Sequence, residues 1–221
     1  VSETADNSFE LVYRGIVRGL YEGRFVPGQR LVEPDLMQLF QVGRGTVREV
    51  LKQLSAAGIV SLVRHRGASV RLLTRCNVFD LLDIVDALVR LSARKAAERI
   101  HTPGHPAQLQ GAYEMLRPFE GKEDFPGFLD AREHYYRTMV KLSNNEELAH
   151  QFPSTLVHIM RLQLRHFGRA ADSMQFADYQ RLTDAILSGN ARRADKAAEL
   201  HVRHTIKQVA GLPDRAFAVE S

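Results

Sequence analysis

The chain has 221 residues, 44% of them hydrophobic and 25% charged, with a formal net charge of +4. Those fractions are ordinary for a soluble globular protein, and the length can fill the cores of two domains. No apolar run approaches the roughly 20 residues of a membrane span, the single Cys76 rules out an intrachain disulfide, and the acidic start VSETADNSFE does not read as a secretory signal. The expected setting is the cytoplasm, with no membrane partner.

The charge is unevenly placed. Residues 44–75 hold seven Lys or Arg against one acid, Glu49, whereas residues 76–221 hold 19 bases and 19 acids. A basic segment in an otherwise balanced chain points to a polyanion as its partner. A membrane surface is the weaker alternative, because no large apolar face lies beside the charge.

In chain order, Asn7-Ser-Phe-Glu10 reads as a capping box. The helix it opens has Phe9, Val12, Ile16, Val17 and Leu20 on one side and ends at Gly23. Pro27-Gly28 is a turn. A short helix starts at Glu33-Pro34, with Leu36, Leu39 and Phe40 inward. Gln41-Val42-Gly43 connects it tightly to a third helix, with Gly43 at the cap position. In that helix Val47, Val50, Leu51 and Leu54 form one apolar stripe, while Arg44, Arg48 and Lys52 recur every four residues on another face. Two helices joined by so short a turn, the second basic, make the helix-turn-helix pattern. Gly58 stops the third helix. Two β-prone runs follow, 59–63 and 68–73, and Arg64-His65-Arg66-Gly67 between them is a basic hairpin tip. It is either a solvated turn or, beside a basic helix, a wing that touches DNA.

These residues resemble the GntR family of regulators. Pro27-Gly28, Arg30-Leu31, Glu33, Leu36, Val42, Arg44, Val47-Arg48-Glu49, Leu51, Leu54, Gly58-Ile59-Val60 and Arg66-Gly67 stand in the order and spacing of that family's winged helix. Gly43, Thr46 and Val50 depart from its usual Ser, Pro and Ala. The resemblance implies DNA contacts at Arg44, Thr46, Arg48 and Arg66, a wing shaped by Gly67, and a phosphate contact at Arg30.

After a linker at 74–76, helical patterns occupy the remainder: 78–100, 107–119, 128–142, a short turn capped by Ser143-Asn144-Asn145, 153–169, 175–188, and 191–209 after Gly189-Asn190. The fold class expected is mainly α: an N-terminal winged helix-turn-helix over residues 1–75 and an all-helical effector and dimerisation domain over 76–221. Asp130-x3-His134, Ser143-Asn-Asn145, Leu182-x2-Ala185-Ile186-x2-Gly189-Asn190 and His201 resemble the FCD type of effector domain. That resemblance implies one divalent metal, Zn, Mn or Ni, held by Asp130, His134 and His201, with Tyr179 standing where relatives place a further His. Water, an effector carboxylate or the Tyr179 oxygen would complete the shell. The other reading of the same three residues is a polar cluster without metal. His158, Arg161, Arg165 and His166 share one helix and are either a solvated basic face or, with Tyr179, part of a pocket gripping a carboxylate.

The function expected is a metabolite-responsive transcription regulator, not an enzyme. It would bind a palindromic double-stranded DNA operator as a homodimer and respond to a small effector, an organic acid. The alternative weighed is a metal-dependent enzyme built on Asp130, His134 and His201. The chain has no nucleophile motif, no Walker-type phosphate loop and no dinucleotide fingerprint.

Overall fold

The computed structural model describes residues 2–63, 67–120, 125–165, 167 and 173–219. The chain divides into two compact units. The first comprises Val1–Thr74, Thr155–Leu164 and Phe217–Ser221, and the second Arg75–Ser154 and Arg165–Ala216. No helix among the described residues is long and apolar enough to cross a membrane.

The first unit opens with α1 (Ser2–Tyr21), β1 (Arg30–Leu31), α2 (Glu33–Phe40), α3 (Arg44–Ala56), β2 (Val60–Val63) and β3 (Gly67–Val70). Helix α1 begins before the expected capping box, so Asn7 lies inside it. No Gly or Pro stands between Ser2 and Asn7 to stop the helix there. The apolar stripes behave as their spacing requires. Val12, Ile16 and Leu20 of α1 are buried, as are Val47, Val50, Leu51 and Leu54 of α3, and α1 packs on α3 and α2. At Gln41 the backbone is left-handed, with φ of 54°, which ends α2 and turns the chain into α3. Gly43 is the extended N-cap of α3.

The sheet has three antiparallel strands in the order β1-β3-β2. Arg30 pairs with Ser69 and Leu31 with Ala68, while Val60 pairs with Val70 and Val63 with Gly67. Strand β1 was not expected, because two residues are too short to display a period-2 pattern. Its effect is to bind the turn after α1 to the wing and to place Arg30 beside it.

Close packing within this unit rests on Gly19. A Cβ there would stand 2.5 Å from the ring of the buried Phe25, whose backbone N–H donates to the Gly19 carbonyl at 3.0 Å. Gly19→Ala is expected to lower stability by about 1–2 kcal/mol through overpacking. Urea unfolding of the full chain would measure it, and an unchanged midpoint would mean that Phe25 moves freely.

The second unit contains α4 (Arg75–Glu98), α5 (His105–Glu114), a 3-10 turn at Arg117–Phe119, α6 (Phe125–Leu142), α7 (Glu146–Gln151), α9 (Ser173–Leu187) and α10 (Ala191–Ala210), with α8 (Ser154–Leu164) between α7 and α9 in sequence. Helix α10 packs along α4 and α9, α4 also meets α6 and α9, and α5 packs on α6 and α9. Asn145 caps α7 by accepting from the Leu148 N–H at 3.1 Å, and Asn190 caps α10 by accepting from the Arg193 N–H at 3.0 Å. The expected linker at 74–76 is not free chain. Thr74 bridges to Ala218, and α4 begins at Arg75.

Nearly all of α8 belongs to the first unit, so a boundary at 75/76 leaves out a segment that joins the winged helix from far along the chain. The Gln163 amide closes a two-way bond with the Leu73 backbone, donating to its carbonyl and accepting from its N–H, both at 2.9 Å. His158 is buried, with its ring centroid 4.0 Å from that of Tyr21 and its Nε2 3.3 Å from the Leu20 carbonyl oxygen.

Candidate functional site

Arg30, Arg44, Arg48 and Gly67 surround one groove of about 580 Å³, together with Glu33, Lys52, Leu62 and Val63. Four-residue spacing on α3 brings Arg44, Arg48 and Lys52 to one side, and β1 adds Arg30 from the sheet. Gly67 adopts a φ of +81°, which an L side chain rarely does. The Arg30 guanidinium passes within 3.8 Å of where a Gly67 Cβ would stand. Thr46 is half-buried in the first turn of α3. Arg66 lies outside the described residues, as does His166.

Glu33 organises this face, a role that sequence reasoning did not assign to it. Its carboxylate accepts from Arg44 Nε at 2.9 Å and from Arg48 Nε at 3.0 Å. Arg44 first, with Arg48 behind it, holds the Glu33 carboxyl below the usual range, against the opposing effect of burial. The Nε edges of both arginines are thus engaged, so each Cζ–N fork can be presented elsewhere in a fixed direction. Both side chains remain more than half exposed, so the pairs orient the arginines and add little stability.

In the second unit the expected ligand set does not assemble. Asp130 and His134 are exposed on α6, on the face that also carries Arg137 and Lys141, whereas His201 of α10 is buried. Among the described residues no group of three or more His, Cys, Asp or Glu is arranged to hold a metal ion. The inward positions of α6 belong to Phe128, Arg132, Tyr135, Tyr136 and Met139. Arg132 and Tyr136 are one turn apart, each two residues past the expected Asp130 and His134. The apolar stripe of α6 carried this signal, since an arginine at a core position of an amphipathic helix is unusual.

Around His201 the side chains form an aromatic cage. The Tyr136 hydroxyl lies 2.5 Å from His201 Nε2. The Tyr179 and His201 ring centroids are 4.7 Å apart, and Tyr179 meets Tyr135 edge-on at 5.3 Å. Tyr135 bonds Thr183 Oγ1 at 2.9 Å, and that hydroxyl donates to the Tyr179 carbonyl at 2.8 Å, which fixes α9 against α6. Burial pushes the Tyr135 phenol well above its ordinary pKa. Arg132 Cζ sits 4.5 Å from the centroid of the Tyr136 ring, a cation–π contact. Burial works against the Arg132 charge, but Tyr179 and Tyr136 outweigh it and its pKa is raised.

A divalent metal does not fit this set. His201 is the single good ligand in the cage, phenol hydroxyls are poor ones, no carboxylate joins them among the described residues, and a fixed guanidinium repels a second cation. Of the remaining pocket residues expected, Tyr179 is in the cage, and Arg165 is exposed in the same unit. His158 and Arg161 belong to α8 in the first unit, where His158 is engaged with Tyr21 and Leu20.

The molecule thus joins a winged helix-turn-helix with a basic face to an all-helical domain with a buried polar cage, the plan of a two-domain transcription regulator. The model of the bacterial regulatory proteins of the gntR family matches residues 10–70, and the FCD domain model matches residues 80–204. The chain belongs to the GntR family, with an FCD domain. It is 29% identical over 215 residues to the HTH-type transcriptional regulator Mce2R of Mycobacterium tuberculosis, covering 86% of each. It is 23% identical over 191 residues to the "Probable D-xylose utilization operon transcriptional repressor" of Paenarthrobacter nicotinovorans, covering 85% of this chain and 82% of that one. Among solved structures, E. coli McbR/YncC superposes with a TM-score of 0.78 at 17% identity, over 92% of this chain and 97% of the other. A GntR regulator from Rhodococcus sp. RHA1 gives 0.74 at 22%, with the same coverage.

Proposed function

We propose that the protein is a cytoplasmic, metabolite-responsive repressor or activator that binds a palindromic DNA operator as a homodimer, and that a small organic acid in the helical unit alters its affinity. The observation that carries this reading is the groove where Arg30, Arg44 and Arg48 meet beside Gly67. In it, α3 lies in the major groove, Arg44, Arg48 and Thr46 face base edges, and Arg30, with Arg66 at the wing tip, holds phosphates. The dimer contact is assigned to α4, where Ile84 is 53% exposed and half-buried Leu88 and Leu91 continue its stripe one and two turns on. Helix α8 is the path of coupling, because its ends continue into the second unit while its body is bonded to Leu73 at the end of the wing.

The test is a footprint of the full chain on its own upstream DNA, with sedimentation of the free protein and of Ile84→Glu. Two protected half-sites related by a dyad about one helical turn apart or a multiple of it, and a dimer that Ile84→Glu dissociates, are expected. Sequence-independent coating of the DNA, or a wild-type monomer at micromolar concentration with and without DNA, would defeat the reading.

A further inference from the structure

Arg132 is 8% exposed, yet among the described residues it forms no ion pair. Its Nε and the hydroxyl of the fully buried Tyr179 have no hydrogen-bond partner of good geometry among them, although the phenol oxygens of Tyr179 and Tyr136 lie near enough to the guanidinium to favour its charge. A buried guanidinium without an anion is strongly unfavourable, and a buried unbonded hydroxyl adds to the imbalance. Both face the cage that contains Tyr136 and His201. From this geometry we infer that the cage is a metal-free carboxylate site in which Arg132 is the fixed cation and Tyr179 a hydroxyl donor.

The chemistry narrows the ligand. One formal cation balances one negative charge, so a single carboxylate leaves the site neutral, whereas a phosphate dianion leaves a buried excess charge. The planar guanidinium matches a planar carboxylate through two parallel N–H bonds. The rings of Tyr135, Tyr136 and Tyr179 supply an apolar wall for a ligand body that is itself flat or apolar. This deepens the effector reading above, and it departs from it by placing a side chain where a metal would otherwise hold the acid.

The experiment uses the full chain after treatment with EDTA. Benzoate, acetate, succinate and citrate are the probes, with benzamide and acetamide as neutral matches and inorganic phosphate as the competing anion. Thermal unfolding midpoints and equilibrium dialysis are the readouts. At least one carboxylate is expected to raise the midpoint by several degrees, with the matching amide inert and with no change on adding Zn²⁺ or Mn²⁺. Arg132→Met is expected to weaken that carboxylate at least 30-fold while the unliganded protein unfolds no earlier than wild type. Should Arg132→Met fail to fold, Tyr179→Phe retains the ring and is expected to weaken the same probe about fivefold at unchanged unliganded stability.

The inference is overturned if no carboxylate shifts the midpoint, if phosphate alone does, if binding requires the metal, or if binding survives both variants. Operator affinity is measured separately with the same probe. A carboxylate that binds through Arg132 but leaves DNA affinity unchanged sinks the effector reading and leaves the site standing. A specific footprint with no carboxylate binding does the reverse.

Discussion

Replacing Arg44 and Arg48 together by alanine is expected to lower affinity for the specific operator by about 2–6 kcal/mol, on the order of 30-fold to 10,000-fold. The magnitude follows from two long guanidiniums at the opening of α3, each able to grip guanine O6 and N7 through both N–H groups of its fork. Glu33 strengthens the expectation, because its bonds to both Nε atoms spare each arginine the search for its bound orientation. Arg30→Ala is expected to act differently, with a smaller loss that is nearly uniform across sequences and a salt slope reduced by about one counterion. Mobility shift or fluorescence anisotropy at several salt concentrations, on operator and on scrambled DNA, separates the two cases. Full operator affinity in the Arg44/Arg48 double variant would mean that another element reads the bases.

The DNA-binding half was legible because its signals are local. Period-3.6 stripes fix the faces of α1 and α3, Gly43 and Gly58 bracket α3, and the positions of Arg44 and Arg48 follow from their number alone. The parts that escaped depend on residues distant in sequence. Strand β1 exists because Arg30 and Leu31 find β3 nearly 40 residues on, and α8 joins the first unit through Leu73 from 90 residues away. Glu33 was visible only as a member of a pattern, since its role needs α2 and α3 at their true crossing. In the helical domain the order of helices was readable but the inward face of α6 was not read from its own stripe. A two-residue shift turned Asp130 and His134 outward and brought in Arg132 and Tyr136, a cation and a phenol where a metal set was expected. Short spaced pairs such as Asp-x3-His recur by chance, and the periodicity of the whole helix is the stronger guide.

The bundle that holds the cage is itself pinned by one carboxylate, and Asp195→Ala is expected to lower the stability of the full chain by about 2–3 kcal/mol at neutral pH. Asp195 accepts from Arg90 through two bonds, 3.1 Å from Nε and 2.8 Å from a terminal nitrogen, and from Arg94 at 2.7 Å, so α10 is tied to two successive turns of α4. Its side chain is 22% exposed, which keeps the pairs partly shielded and sets the loss below that of a fully buried triad. After its removal Arg90 retains the ion pair with Asp86, at 3.6 Å, and the weaker attraction of Glu199. The sign of the pH dependence follows from the direction of the shift. Arg90 first, and Arg94 with it, hold the Asp195 carboxyl below its ordinary pKa despite its burial. Its contribution is therefore complete above the ordinary value of about 3.9 and is lost as pH falls through the lowered folded value. Asp86 acts in the opposite direction, since burial raises its pKa and its ionisation weakens the fold as pH rises through that raised value. The two windows lie on either side of the ordinary carboxylate range, so they separate in a titration. Urea unfolding of wild type and Asp195→Ala is expected to show a gap that is full near neutral pH and closes as pH falls below the ordinary carboxylate value. A gap that persists unchanged at the lowest pH would assign the loss to packing between α4 and α10 instead of the ion pairs.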